Sequence, residues 1–295
     1  AVLSGAYFGD RCSPASSSAA LVAAETGTTL YDNLRNMFRT GVLPVALTVI
    51  VYGVLSVRHP ITAVDESLLQ ALRDSAVISL WALLPAVIML ALPLVKVPVL
   101  ISIALSVAAA GTVSVLVQGM TVWDMLKTAL LGYYPTAGQL KDILSGGGIV
   151  SMAKPAALVF TTGLLAGLLE GTGVLKGAAG LVEKLANRWG SFAASVAVSL
   201  GAGMIFCNQS VAIVMGNQLL RRCYTDHNEQ AVDMENSGIV LSALIPWNIA
   251  CSIPLVMLEV NERAIPYAVL LYMIPLVYGL TKQWVYPAER QAMKE

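Results

Sequence analysis

The chain has 295 residues, 57% of them hydrophobic and only 12% charged, and its 18 Lys and Arg balance 18 Asp and Glu to a net charge of zero. A soluble domain carries roughly a quarter charged residues, so there is too little polar surface to cover a globule in water, and the composition reads as an all-α polytopic membrane protein. With no dense Lys/Arg stripe, nucleic acid is excluded as the main partner.

The opening AVLSGAYFGD has neither the basic start nor the long apolar run of a signal peptide. It reads as the continuation of a longer chain, with earlier membrane spans expected ahead of Ala1. Pro14 and the serines Ser16, Ser17 and Ser18 interrupt this segment before the amphipathic stretch LYDNLRNMFRT. The first uninterrupted span is 41–57, closed by Arg58, His59 and Pro60. A polar helical segment with Asp65, Glu66, Arg73 and Asp74 precedes two apolar runs, 76–95 and 97–117, separated only by Lys96 and expected to pair antiparallel. Pro85 lies inside the first run, as membrane helices tolerate.

Residues 121–134 have helical apolar spacing with Asp124 and Lys127 on the other side, the pattern of an interfacial helix. After the turn signal SGGG, the span 149–169 carries glycines at 163, 167 and 171, a stripe that lets two helix backbones approach closely. An amphipathic connector with Lys176, Glu183, Lys184 and Arg188 follows. Two short apolar runs, 192–205 and 211–220, then flank the polar run Cys207, Asn208, Gln209, Ser210. The segment 239–258 is interrupted by Pro246, Trp247 and Asn248, and 264–280 is the last span. Since a helix needs about 20 residues to cross a hydrocarbon core of about 30 Å, about seven membrane segments are expected.

Polar groups at membrane depth are costly unless they bond to each other, to freed backbone or to a bound ion. Asn208, Gln209 and Ser210 lie either at the midpoint of one helix or at the tip of a re-entrant hairpin, and both places are buried. An interrupted helix frees carbonyls on one side of the break and N–H groups on the other. Pro246 acts similarly, and is expected to leave a carbonyl near Ser242 unpaired, with Asn248 and Ser252 facing the gap. The opening segment repeats the design: Ser16 follows Pro14 as Asn248 follows Pro246, Pro44 comes 30 residues after Pro14, and Pro275 comes 29 after Pro246. Matched breaks in two halves point to the inverted repeats of secondary transporters, with discontinuous helices and re-entrant hairpins.

Asp10 and Glu235 are the acidic groups nearest the two breaks. Burial disfavours an ionised carboxylate, so that a proton competes with a cation for the same oxygens. Both are candidate ion or proton ligands, and an ion pair with Arg11 is the structural alternative for Asp10. The four cysteines (Cys12, Cys207, Cys223, Cys251) form no CxxC and no cluster with His, so they read as small apolar side chains, not zinc ligands or disulfide halves. His59 and His227 fall in polar segments and carry no role. No nucleophile with a base, aspartate pair or metal-ligand spacing supports an enzyme; a channel would differ by its conductance.

At these residues the sequence resembles a known family. SGAYFGDRCSP, FCNQS and SALIPWN look like the NhaC family of sodium/proton antiporters, in the ion transporter superfamily, and the likeness covers essentially the whole chain. It implies an inverted-repeat exchanger, multi-pass in a prokaryotic plasma membrane, with Na⁺ and H⁺ as substrates and no cofactor. By the same resemblance Asp10, Ser13 and Ser16 belong to a first-repeat signature, and Asn208, Gln209, Pro246 and Asn248 to a second. Ser17 and Asn236 stand where members often have acidic residues.

The expected organisation is a remnant of the first repeat at 1–64, linking helices and the interfacial segment at 65–148, and the second repeat at 149–295. The candidate ion ligands are Asp10, Ser13, Ser16, Ser17, Asn208, Gln209, Ser210 and Asn248, with Asp10 and Glu235 as proton carriers. The expected partners are the lipid bilayer and the missing N-terminal half; a homodimer is compatible with this reading. The alternative function is Na⁺-coupled exchange of organic acids of the malate/lactate type.

Overall fold

The computed structural model describes residues 1–58, 70, 77–95, 97–134, 145–172, 174–258 and 260–285. His59, Asp65, Glu66, Arg73, Asp74 and Lys96 from the sequence reading lie outside them. The described chain is helical, with one isolated bridge between Tyr133 and Gly146.

In chain order, α1 (Val2–Cys12) stops where Ser13 turns extended, and α2 (Ser17–Thr26) starts on Ser16, whose hydroxyl accepts the Ala19 N–H. Such a cap is worth about 1 kcal/mol. Gly27 ends α2 at φ +69°, where a side chain would be strained. Helix α3 (Leu30–Arg58) absorbs Pro44. After a 3₁₀ turn (Leu80–Leu83) come α4 (Leu84–Leu94), α5 (Val99–Leu116) and α6 (Val122–Leu131), the last capped by the Thr121 hydroxyl. A 3₁₀ turn (Ile149–Met152) leads into α7 (Ala153–Gly171) and then α8 (Val174–Trp189). Helix α9 (Ser191–Phe206) and α10 (Gln209–Leu220) form a hairpin. Helix α11 (His227–Met234) runs on through a π turn (Glu235–Ile239) into a last helical turn (Val240–Ser242); α12 (Ile249–Met257) and α13 (Val269–Val285) close the chain.

Two compact units result, 60–158 and 1–59 with 159–295. In the first, α4 and α5 are antiparallel: Ser106 Oγ donates to the Pro85 carbonyl at 2.8 Å, and the Gln118 amide clasps both the N–H and the C=O of Val77 at 2.9 Å. Pro85 does not interrupt a helix, as the sequence suggested. It sits in the first turn of α4, behind the 3₁₀ turn, where no N–H is required.

In the second unit, hydrogen bonds fix the directions. Tyr52 late in α3 accepts from Ser4 in α1 (2.7 Å) and donates to the Tyr267 carbonyl before α13 (2.8 Å), so these three meet at one pole. At the other pole the Tyr224 hydroxyl, after α10, lies 3.0 Å from the carbonyl of Ser191 at the start of α9. The interrupted pair α1/α2 therefore runs from the Tyr52 pole to the Tyr224 pole, and α11/α12 runs back. The α9/α10 hairpin starts and ends at the Tyr224 pole, with its tip between the two interruptions.

Among the described residues, two helices are long and apolar enough to cross a membrane, α3 and α5; 80–94, α9 and 269–282 are apolar but shorter. Side chains on α3 such as Val42, Val49, Ile50 and Val57 are well exposed, a pattern that lipid accepts and water does not. The glycine stripe behaves differently from expectation: a Cβ on Gly163, Gly167 or Gly171 would meet nothing within 4 Å, so no helix backbone lies against it among the described residues.

Candidate functional site

Three non-helical points converge: the end of α1, the hairpin tip and the end of the α11 run. At the first, Ser13 Oγ accepts the Ala15 N–H at 3.1 Å and the chain re-enters a helix at Ser16. This turn lays Ser16 against the last turn of α1, where its hydroxyl donates to Asp10 Oδ1 at 2.9 Å. The other carboxylate oxygen accepts from Gln209 Nε2 at 3.0 Å, and the same nitrogen donates to the Ile239 carbonyl at 3.0 Å. Two acceptors on one nitrogen fix the amide orientation, with Gln209 Nε2 rather than Oε1 toward Asp10.

At the hairpin tip, Cys207 adopts φ +53°, the single non-glycine positive φ among the described residues. Asn208 follows, 4% exposed, and its Oδ1 accepts the Ser210 and Val211 N–H groups at 2.9 and 3.3 Å. The third point docks onto this tip. Asn248 Nδ2 donates to the Gly203 carbonyl (2.9 Å), Trp247 Nε1 to Met204 (3.0 Å) and the Ile249 N–H to Cys207 (2.9 Å). Gly203 packs closely here: a Cβ would stand 2.8 Å from Ile245 Cδ1, so that side chain would have to shift. Ser242 is not left with a free carbonyl as Pro246 suggested: its oxygen accepts the Ile245 N–H at 3.4 Å, because the chain tightens into an i to i+3 turn before the proline. The carbonyls released by the break at Gly203, Met204, Cys207 and Ser242 are thus taken by protein donors.

Arg11 does not pair with Asp10. Adjacent helical positions point about 100° apart, and its guanidinium reaches Thr40 Oγ1 (2.7 Å), Asn236 Oδ1 (2.5 Å) and Cys12 Sγ (3.3 Å). Gly41 gives it room, since a Cβ there would sit 3.0 Å from Nη1. Arg11, Asn33, Glu235 and Asn236 are all fully buried. Five of their polar atoms have no hydrogen-bond partner: Arg11 Nε, Asn33 Oδ1, both Glu235 carboxylate oxygens and Asn236 Nδ2. Arg11 is the charge facing Glu235, and Asn33 lies beside that carboxylate without completing a hydrogen bond. Glu235 opens the π turn, a local widening frequent at functional sites.

A separate buried network lies toward the Tyr224 pole. Lys282 Nζ donates to Asp233 Oδ2 (2.5 Å), Glu229 Oε1 (2.7 Å) and Ser191 Oγ (2.7 Å), which uses all three of its protons. Tyr224 and Tyr278 hydroxyls donate to Asp233 at 2.6 and 2.8 Å.

Of the sequence candidates, Asp10, Ser16 and Gln209 come together directly, and Asn208 and Asn248 join them through the hairpin tip. Asn248 is fully buried with both polar atoms engaged, Oδ1 by the Ala250 N–H and Nδ2 by Gly203; it is a clasp between breaks. Ser13 is half-buried at the first turn, whereas Ser17 and Ser210 are exposed. Glu235 lies in the Arg11 cluster, at the start of the π turn. Sequence reasoning missed Asn33, Thr40, Asp233, Tyr278 and Lys282. Ser191, Ser195 and Ser199 recur every four residues along α9, and the latter two meet Ser237 at 2.8 and 3.0 Å. That period was the available sign that α9 packs against the π turn.

The profile of the Na⁺/H⁺ antiporter family matches residues 5–281. A malate-2H⁺/Na⁺-lactate antiporter of Bacillus subtilis (strain 168) is 27% identical over 84% of this chain and 55% of its own. The Na⁺/H⁺ antiporter NhaC of the same organism is 24% identical over 94% of this chain and 64% of its own. An arginine/ornithine antiporter, ArcD, of Halobacterium salinarum is 28% identical over 84% and 54%. The chain thus spans between about half and just under two thirds of the curated relatives it matches. No solved structure matches it significantly.

Proposed function

Because the chain belongs to the Na⁺/H⁺ antiporter family, whose members are multi-pass proteins of the plasma membrane, we propose that it exchanges Na⁺ for H⁺ by alternating access. In this reading a partly dehydrated Na⁺ is held at the junction of the breaks by the Asp10 carboxylate, the Ser13 and Ser16 hydroxyls and Gln209 Oε1, with Ser17 and Ser210 on the approach. Asn208 and Asn248 hold the junction together. Asp10 alternates between the cation and a proton, and Glu235 is the second acid available to carry one.

The observation that carries this reading is the company Asp10 keeps. Its two oxygens meet a hydroxyl and an amide, and no cationic side chain neutralises it among the described residues. A partly buried carboxylate bonded only to neutral dipoles has a charge still to be balanced, and a small cation can balance it. Hydroxyl, amide and carboxylate oxygens are the hard donors that alkali and alkaline-earth ions take. The matched breaks, each followed by a helix starting on Ser16 or Asn248 and then by a proline-bearing helix, support an inverted repeat.

The second reading, Na⁺-coupled exchange of organic acids, draws on the malate/lactate relative and on Arg11, a buried guanidinium with an unbonded Nε of the kind that receives a carboxylate. Proteoliposomes carrying a pH-sensitive dye separate the two. Na⁺ added alone is expected to drive proton movement. Silence until malate or lactate is supplied would overturn the exchanger proposal in favour of the second reading.

A further inference from the structure

Between the turn after α2 and the loop before α11 lies a polar recess of about 620 Å³, lined by Thr28, Thr29, Asp32, Asp226, His227 and Asn228, with Gly27 at its edge. It opens at the Tyr224 pole, and its rim residues are exposed. Its inner wall is one residue from the buried cluster around Glu235.

The hydrogen-bond accounting along that wall has a direction. Thr26 donates its one hydroxyl proton to the Val22 carbonyl at 2.7 Å, so in the 2.9 Å contact between Thr26 and Thr28 the donor is Thr28. With that proton spent, Thr28 can only accept from Asn33, and Asn33 Nδ2 donates to it at 2.8 Å. The Asn33 amide is therefore fixed with its nitrogen on the Thr28 hydroxyl. The Asn33 side chain lies against Glu235, and its Oδ1 and both Glu235 carboxylate oxygens are without hydrogen-bond partners.

We infer that the recess bounded by residues 27–32 and 225–228 is the aqueous mouth of a proton path to Glu235, with Thr28 and Asn33 as its neck. Asn33 is a positioning residue: its nitrogen is anchored at the wall by Thr28 and its side chain lies against the Glu235 carboxyl. The proton comes from water in the recess and moves to a Glu235 oxygen; on release it returns the same way. Arg11 is the cationic group that acts on Glu235. The inference rests on Glu235 carrying a proton in the exchange proposed above, but the path itself is testable without transport.

The test uses the full-length protein in proteoliposomes. A Glu235→Cys variant is exposed to a small membrane-impermeant methanethiosulfonate, with modification read by mass spectrometry on the peptide containing residue 235, so that the four native cysteines do not interfere. Modification is expected from one side of the membrane, the side on which the 225–228 loop is exposed, and is expected to slow at least tenfold when Asn33→Leu closes the neck. Because Asn33→Leu disturbs a buried site, Asn228→Trp at the exposed rim provides a second plug and is expected to slow labelling severalfold. In otherwise unchanged protein, both plugs should slow Na⁺-driven proton movement while equilibrium Na⁺ binding stays within twofold. Labelling from the opposite side, or labelling that ignores both plugs, overturns the path. Absent Na⁺-driven proton movement with labelling still blocked by the plugs overturns the exchange reading and leaves the path standing.

Discussion

Asp233 is held by a lysine and two tyrosines, Asp10 by one serine and one glutamine. Both are acids of the same helical unit, yet one has its charge balanced in place and the other does not. The Lys282 network closes on itself, with every ammonium proton bonded, and ties α9, α11, α13 and the Tyr224 loop at one pole. At the breaks, backbone donors and side-chain amides fasten the three chain interruptions together, and Asp10 meets only a hydroxyl and an amide. A buried ion pair fixes geometry at the expense of exchangeability; a carboxylate among dipoles keeps its exchangeability and relies on its surroundings for geometry.

The sharpest way to break this contrast is at Lys282. Lys282→Met would leave two carboxylates without their cation, and stability in detergent is expected to fall by about 3–5 kcal/mol, the loss typical of removing one partner from a buried pair. Thermal unfolding reads it, and adding Asp233→Leu should return part of the loss. If Lys282→Met kept its stability and altered Na⁺ dependence instead, the network would belong to the transport machinery. Next in size is Asp10→Asn, which keeps shape and removes charge. Loss of a charge-assisted ligand of about 3 kcal/mol corresponds to roughly a hundredfold weaker Na⁺ response, with thermal stability nearly unchanged. Unaltered Na⁺-driven proton movement would remove Asp10 from the site.

Gly203→Val tests the clasp between the breaks. Its Cβ would press on Ile245 Cδ1, and overpacking of this kind costs about 1–3 kcal/mol; thermal unfolding should show the loss, together with faster proteolysis at residues 243–248. The smallest effect is expected from Ser16→Ala, which removes a helix cap worth about 1 kcal/mol and one of two bonds to Asp10. Its apparent Na⁺ affinity should fall severalfold and return in Ser16→Thr. Equal behaviour of Ala and Thr would mean that the hydroxyl acts only through backbone conformation.

Much of the site could be read because lipid-facing sequence makes polar residues conspicuous. The run Cys207 to Ser210 and the triplet Pro246, Trp247, Asn248 stand out against apolar flanks, and both mark true interruptions. Which polar atoms face an ion could not be read that way. Ser210 and Asn208 are two residues apart in one motif, yet one is exposed and the other is a buried cap. Pro246 announced a break, but not that Ile245 would close on the Ser242 carbonyl within its own turn, nor that Trp247, Asn248 and Ile249 would donate to the hairpin tip, a segment about 40 residues earlier in the chain. Asn33 and Lys282 sit in stretches that read as ordinary amphipathic ends, and only their partners, up to 91 residues away for Lys282 and Ser191, give them meaning.

Composition and hydropathy by themselves determined that this chain is a helical membrane protein, where its helices must break, and which acids lie near the breaks, since each follows from the local cost of placing polar groups in an apolar phase. The tertiary structure alone decided that Arg11 turns from Asp10 to Asn236, that Asp233 is neutralised and Asp10 is not, and that Asn33 joins Glu235 to a recess. Those outcomes depend on which side chains from distant segments come within about 3 Å of one another, the reach of a hydrogen bond, and no local pattern encodes that distance.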